Sequence, residues 1–212
     1  MISSSGSLAV LDDDRSLKQA IRQRIRAERL LRDPIQREMD ARALAAVLFE
    51  LPEIVGAECI AAYASTSSAP GTAPLRQGLR DAGIRVVLPV LLGGGHLDWA
   101  VDGPAPTGGR GDRGGAERSR GLLGLEGIGL AQAVIVPALA VDTLGNRLGQ
   151  GSGFYDRTMR LIEPWVPVFA LVYESELLDA AIEPIPAQPH DVPVDAVVTP
   201  HRCLRLPPRA RG

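Results

Sequence analysis

The sequence predicts an α/β fold: a single three-layer domain whose mostly parallel sheet is flanked by helices. Three observations predict it. Short apolar stretches at 59–63, 133–139, 167–173 and 196–199 recur with helical or glycine-rich segments among them, the alternation that builds parallel sheets. The stretch at 133–139 is continuously apolar, as strands covered on both faces are. The chain has 212 residues, 45 % of them hydrophobic, which is ample for a core.

The elements follow in order. Residues 1–14 are small, polar and acidic and are expected to form a disordered tail, leaving 15–206 as the domain. Ser16-Leu-Lys-Gln19 fits a capping box, so a first helix should begin there. Leu17, Ile21, Ile25 and Leu30 or Leu31 supply its apolar stripe, with Lys18 and Arg22 on another face. Asp33-Pro34 ends that helix and caps a second one running to about Phe49. Both helices should lie against the sheet. Strands follow at Cys59–Tyr63, Arg85–Leu91 and Leu97–Val101, with a helix at Thr72–Ala82 ended by Gly83. Gly103–Gly124 reads as a long loop rich in Gly, Pro and Arg. Then come a strand at Ala133–Leu139, a helix at Phe154–Ile162, and strands at Pro167–Tyr173 and Ala196–Thr199. No internal repeat is evident.

Composition narrows the function. A net charge of −2 argues against nucleic-acid binding by the whole chain. No apolar run approaches the ~20 residues that span a membrane. Met1–Leu11 lacks the basic start and apolar core of a signal peptide. Cys59 and Cys203 form neither a disulfide framework nor a metal cluster. A cytoplasmic monomer is expected. Of 23 basic residues only Lys18 is a lysine. It is either one surviving surface cation or a compact ammonium doing what a planar guanidinium cannot.

Val134–Arg157 carries the most information: a buried strand, a polar turn, then Gly149, Gly151 and Gly153 alternating before a helix. Glycines permit close backbone approach, and a helix start faces anions with free N–H groups. Arg147 adds a forked donor suited to phosphate, and Asp156 suits a hard cation. These features together suggest a nucleoside triphosphate site. The loop lacks the Gly-Lys-Ser/Thr of a Walker A motif and the spacing of a dinucleotide fingerprint. The plainer alternative is a strand-to-helix turn that needs glycine for its geometry.

Residues 145–157, Gly-Asn-Arg-Leu-Gly-Gln-Gly-Ser-Gly-Phe-Tyr-Asp-Arg, closely resemble the signature of the 5-formyltetrahydrofolate cyclo-ligase family, and the resemblance runs from about Lys18 to Thr199. It implies an ATP- and Mg²⁺-dependent ligase of one-carbon metabolism that converts 5-formyltetrahydrofolate to 5,10-methenyltetrahydrofolate. It implies ATP binding by Lys18, Arg22, Arg147, Leu148, Gly149, Gln150, Gly151, Ser152, Gly153, Phe154 and Tyr155. Lys18 and Arg147 would be the catalytic cations. Asp156 and Asp191, the latter in His190-Asp191-Val-Pro-Val-Asp195, would position Mg²⁺, while Asp195 shapes its loop. Ala69, Trp99, Gln150, Ser152 and Phe154 would border the folate.

The chain departs from the family at two of these positions. Ala69 stands where the family usually has a glutamate facing the formyl group, with Glu117 a candidate substitute; Phe154 replaces a common tyrosine. Plainer readings stand beside each role: a solvated basic face for Lys18 and Arg22, a capped turn for His190 and Asp191, and a packed strand residue for Trp99. Two other function classes remain open. One is a non-catalytic or altered-substrate relative that binds ATP or a folate. The other is a nucleic-acid module using the arginine-rich first helix, which the acidic Asp12–Asp14 run opposes.

Overall fold

The structure is a computed structural model that describes residues 5–66, 68–91, 97–103 and 122–208. Most of the predicted loop at 103–124, with Glu117, lies outside the described residues. The chain opens with α1 (Ser5–Leu30) and turns into α2 (Pro34–Phe49). Residues 5–14, expected to be a disordered tail, are therefore helical, and Ser16 lies inside the helix instead of capping it. From Leu8 to Arg15 there is no Gly or Pro to stop the helix propagating towards the N-terminus. The cap predicted for α2 is present: the Asp33 carboxylate accepts from the backbone N–H of Ile35 at 2.7 Å and of Gln36 at 3.1 Å.

After α2 come α3 (Pro52–Val55), β1 (Cys59–Ala61), α4 (Ala73–Asp81), β2 (Arg85–Leu91) and β3 (Leu97–Val101). A 3₁₀ turn at Leu125–Leu130 leads to β4 (Ala133–Pro137), β5 (Ala140–Asp142), β6 (Arg147–Leu148) and α5 (Phe154–Met159). The chain continues through β7 (Val168–Leu171), a second 3₁₀ turn at Glu174–Glu176, β8 (Leu177–Leu178), β9 (Ala196–Val198) and β10 (Cys203–Arg205).

Seven strands form the main sheet in the order β10-β9-β7-β4-β1-β2-β3. Its five inner strands are parallel, and β3 and β10 close the edges antiparallel. Alternate strand residues face opposite layers. Ile60, Val86, Ile135 and Phe169 pack with Leu44 and Leu48 of α2 and Leu75 and Leu79 of α4. Ala61, Val87, Val134 and Val168 face Met159 of α5 and Ile128 of the first 3₁₀ turn. The three layers and the mostly parallel sheet are as the sequence predicts. Each large apolar side chain buried there contributes about 1.5–3 kcal/mol.

α1 departs from expectation. It packs on a small second sheet, order β6-β5-β8, which the sequence did not announce. Ile21 and Ile25 join Leu139, Ala140, Leu148 and Leu178 in a third apolar cluster, separate from the two faces of the main sheet. The buried face is also rotated from the predicted one. Leu17 is 44 % exposed, whereas Lys18 is 8 % exposed and Arg29 2 %. Each of these cations is drawn in by a carboxylate brought from the far end of the chain.

One ion-pair cluster holds α4 to the sheet edge. Asp102 accepts from Arg76 at 2.6 and 2.8 Å and is also bonded to Arg80. Burial alone would raise its pKa, but these hydrogen bonds and charges outweigh it and lower the carboxyl below its ordinary 3.8. The group is thus more acidic folded than unfolded. Its stabilisation is complete above the unfolded value and is lost as pH falls from 3.8 through the folded value. Asp102→Asn should cost ~1–3 kcal/mol at pH 7. Urea titrations of both proteins should show that gap closing below pH 3.8; a gap independent of pH would remove the electrostatic cause.

Candidate active site

The main sheet has a topological switch. From β1 the chain moves to β2 on one side; from β4 it moves to β7 on the other. Crevices at the carboxyl ends of strands that diverge in this way are where open α/β sheets bind ligands. A cavity of about 990 Å³ lies there. Ala69 beyond β1, Pro89 and Leu91 at the end of β2, and Pro137 and Ala138 at the end of β4 contribute to its wall. α1 and the glycine loop after β6 supply the polar side. Six cations line it, Arg15, Lys18, Arg22, Arg29, Arg147 and Arg157, against two carboxylates, Asp156 and Asp191. A chain with net charge −2 thus concentrates positive potential in one concavity, which favours an anionic ligand.

The glycine loop is shaped from behind by Asp142. This buried carboxylate accepts from the N–H groups of Leu144, Asn146 and Ile185 and from the Asn146 side chain, all within 2.9–3.1 Å. That turn delivers Arg147 to the cavity. The loop's carbonyls are then taken by arginines. Arg22 Nε donates to Gly149 O at 3.0 Å, Arg26 donates to Gln150 O at 3.0 Å and its Oε1 at 2.8 Å, and Arg157 donates to Ser152 O at 3.2 Å. Arg22, expected on phosphate, thus holds the loop together with Arg26. A Cβ at Gly149 would lie 2.9 Å from Arg147 Nη1, so a side chain there would shift that guanidinium. α5 has only six residues, so its dipole adds little and the side-chain cations dominate the field.

The predicted phosphate cations and metal carboxylates are brought together, but as ion pairs. Lys18 Nζ sits 2.5 Å from Asp191 Oδ2. Arg147, its side chain 2 % exposed, meets Asp156 Oδ1 at 2.8 Å and Pro137 O at 3.3 Å. Burial would raise the Asp191 pKa; hydrogen bonds from Lys18 and from Gln188 N–H outweigh it and hold the carboxyl below its usual range. His190 is largely exposed, with Nε2 3.7 Å from Asp191 Oδ1. Among the described residues, no group of three or more His, Cys, Asp or Glu gathers as a metal site.

The remaining residues divide. Leu148, Gly149, Gln150, Gly151, Ser152, Gly153, Phe154 and Tyr155 all line the cavity, and Phe154 stands edge-on to Tyr155 at 4.9 Å. Burial raises the Tyr155 pKa, so the phenol stays neutral. The Ala69 loop is pinned by Tyr63 Oη donating to Pro70 O at 2.8 Å and Thr72 Oγ1 donating to Tyr63 O at 2.6 Å. Trp99 is a correction: it is 1 % exposed, packs in the core with Ile128 and Val87, and is not among the residues lining the cavity. Its register puts it on the same sheet face as Val87 and Pro89, and there it packs on Ile128. Asp195 does shape its loop, accepting from Val168 N–H at 2.8 Å. Sequence reasoning missed Arg29, which lines the cavity while its guanidinium forks onto Glu176 at 2.6 and 2.8 Å.

Residues 14–200 match the model of the 5-formyltetrahydrofolate cyclo-ligase family. A 5-formyltetrahydrofolate cyclo-ligase of Mycolicibacterium smegmatis is 39 % identical over 78 % of this chain and 84 % of its own. One from Escherichia coli is 32 % identical over 86 % of this chain and 97 % of its own. The 5,10-methenyltetrahydrofolate synthetase of Aquifex aeolicus has the same fold, with a TM-score of 0.69 at 23 % identity over 92 % of this chain and 94 % of its own. Among the described residues, no helix is long and apolar enough to cross a membrane. With its match spanning nearly the whole folded domain, the chain belongs to the 5-formyltetrahydrofolate cyclo-ligase family.

Proposed function

We propose that this protein is an ATP-dependent ligase that converts 5-formyltetrahydrofolate to 5,10-methenyltetrahydrofolate, releasing ADP and phosphate. The observation that carries the reading is the cavity itself: six cations line it together with an apolar wall of Ala69, Pro89 and Leu91. A polyphosphate matches the cations, and a flat heterocycle matches the wall. Asp156 and Asp191 fit a divalent cation that arrives with phosphates. Each lines the cavity, and two carboxylates with phosphate and water oxygens meet the oxygen-only preference of Mg²⁺. The cation would supply charge neutralisation of the triphosphate.

The chemistry needs positioning more than proton transfer. The formyl oxygen attacks the terminal phosphorus; an O–P bond forms and the bond to ADP breaks. The second folate nitrogen then attacks the formyl carbon, the C–O bond to phosphate breaks, and the proton of that nitrogen leaves to solvent. Lys18 and Arg147 balance charge on the transferring group. Arg22, Arg26 and Arg157 hold the carbonyls of the glycine loop, and Phe154 and Tyr155 exclude water. Mixing protein, 5-formyltetrahydrofolate and MgATP should produce methenyl absorbance, and omitting any one of them should abolish it. No absorbance from the complete mixture would overturn the reading.

Ala69 gives this reading its own prediction. The apolar wall lacks the acid that the family resemblance leads one to expect there. Ala69→Glu should lower KM for the folate or raise kcat, with a gain of ~1.5–3 kcal/mol if the carboxylate finds a donor, and leave ATP affinity unchanged. Steady-state kinetics in both substrates checks it. Weaker folate binding would point to a remodelled pocket and an altered substrate, since an unpaired buried carboxylate costs free energy.

A further inference from the structure

We propose that Arg26, which lies outside the cavity, is a positioning residue for nucleotide binding and acts through Gln150. The inference rests on the ATP reading. Gln150 stands between Gly149 and Gly151, and Gly151 has a φ of +107°. With no Cβ on either neighbour, the peptides around Gln150 are freer to turn than those of an ordinary loop. Arg26 takes both oxygens of that residue. Its Nη2 donates to Gln150 O at 3.0 Å and to Oε1 at 2.8 Å, and its Nε donates to Oε1 at 3.2 Å. One planar guanidinium thus fixes the backbone and the side chain of Gln150 together. Gln150 lines the cavity and Arg26 does not, so any effect of this contact on a ligand passes through Gln150.

The contact sets the direction of hydrogen-bond donors. A planar trans peptide points its N–H opposite its C=O. By holding Gln150 O, Arg26 turns the Gly151 N–H away from α1. Arg22, one helical turn earlier, does the same for the Gln150 N–H by holding Gly149 O at 3.0 Å. Among the described residues neither N–H has a protein acceptor. Both belong to residues that line the cavity, so both are left for a ligand oxygen. A loop free to turn would have to be ordered by the ligand, at a cost in affinity. The amide oxygen of Gln150 serves Arg26, so this side chain supports the loop instead of reading the ligand.

Calorimetry with MgATP on the full chain, beside melting temperatures and steady-state kinetics, tests the assignment. Arg26→Ala should weaken MgATP about five- to tenfold, raise KM for ATP to match, and leave kcat within about twofold. Its melting temperature should hold, since Arg26 and Gln150 are both exposed. Most of the loss should remain in Arg26→Lys, because an ammonium keeps the charge and lacks the planar fork. The double variant Arg26→Ala/Gln150→Ala should bind no worse than Arg26→Ala alone. Unchanged affinity in Arg26→Ala would show that the loop keeps its path unaided. Full affinity in Arg26→Lys would show that charge alone matters. Losses that multiply in the double variant would show that the two residues act separately, and a melting temperature that falls with affinity would place Arg26 in the fold. Any of these overturns the inference while the ATP reading stands. A wild type that binds no MgATP would overturn that reading itself.

Discussion

Arg29→Met should destabilise the fold by about 3–5 kcal/mol, the cost of breaking a buried ion pair from one side. Arg29 and Glu176 both have side chains 2 % exposed. The guanidinium makes two bonds to the carboxylate, at 2.6 and 2.8 Å, and a third to Ala138 O at 2.7 Å. Glu176 also accepts from Tyr173 N–H at 2.8 Å, and Arg32 lies over the Tyr173 ring at 3.7 Å from its centroid. Removing Arg29 leaves the carboxylate in the interior with one backbone N–H and no countercharge. At ~2–4 °C per kcal/mol for a chain of this size, thermal unfolding should show the loss clearly. Glu176→Leu should cost a similar amount, because it strands the guanidinium instead. The double variant Arg29→Met/Glu176→Leu should recover much of the loss, since neither charge then remains unpaired. A double variant as unstable as the two single losses added would mean that the residues act through separate packing contacts.

This pair also shows why part of the molecule could not be read from its sequence. Arg29 stands in α1 among Arg15, Arg22, Arg24 and Arg26, and nothing local separates a buried arginine from a solvated one. Its partner lies 147 residues away. The same holds for Lys18, whose partner is 173 residues away and whose burial displaced Leu17 from the predicted stripe. A helix phase read from apolar residues alone fails when charged side chains are drawn inward by distant countercharges. The three-stranded sheet was illegible for another reason: β6 and β8 have two residues each, too few to show a period.

Strands of the main sheet were legible because burial on both faces leaves continuous apolar runs such as Ala133-Val-Ile-Val-Pro137. The start of α2 was legible because Asp33-Pro34 carries its cap chemistry locally. In the site, the glycine loop and its flanking Arg147, Tyr155 and Asp156 were visible as a compact string, and the structure gathers them at one cavity. Trp99 was misplaced because an aromatic in a strand faces either layer with equal local sense. Only the pairing of β2 with β3 sends it into the core.

Gly151→Val should abolish measurable nucleotide binding while leaving the fold intact. Gly151 has a φ of +107°, a conformation that residues bearing a Cβ rarely adopt and β-branched ones least of all. Space is not the obstacle at first contact, since an added Cβ would lie 3.7 Å from Arg22 Cζ. The backbone strain is the obstacle, and the two valine methyls would press further on the guanidinium that donates to Gly149 O at 3.0 Å. The loop relieves that strain by changing its path, because Gln150, Gly151 and Ser152 are exposed. Its path sets where Arg147 and the loop N–H groups meet a phosphate, so affinity falls while thermal stability does not. Gly151→Ala should lie between, losing about five- to tenfold, since one methyl at positive φ costs roughly 1 kcal/mol. Calorimetry with MgATP beside thermal unfolding of each variant separates the two effects. Unchanged affinity in Gly151→Val would show that the loop only turns the chain from β6 into α5. A large fall in melting temperature would show that the loss of binding came from the fold.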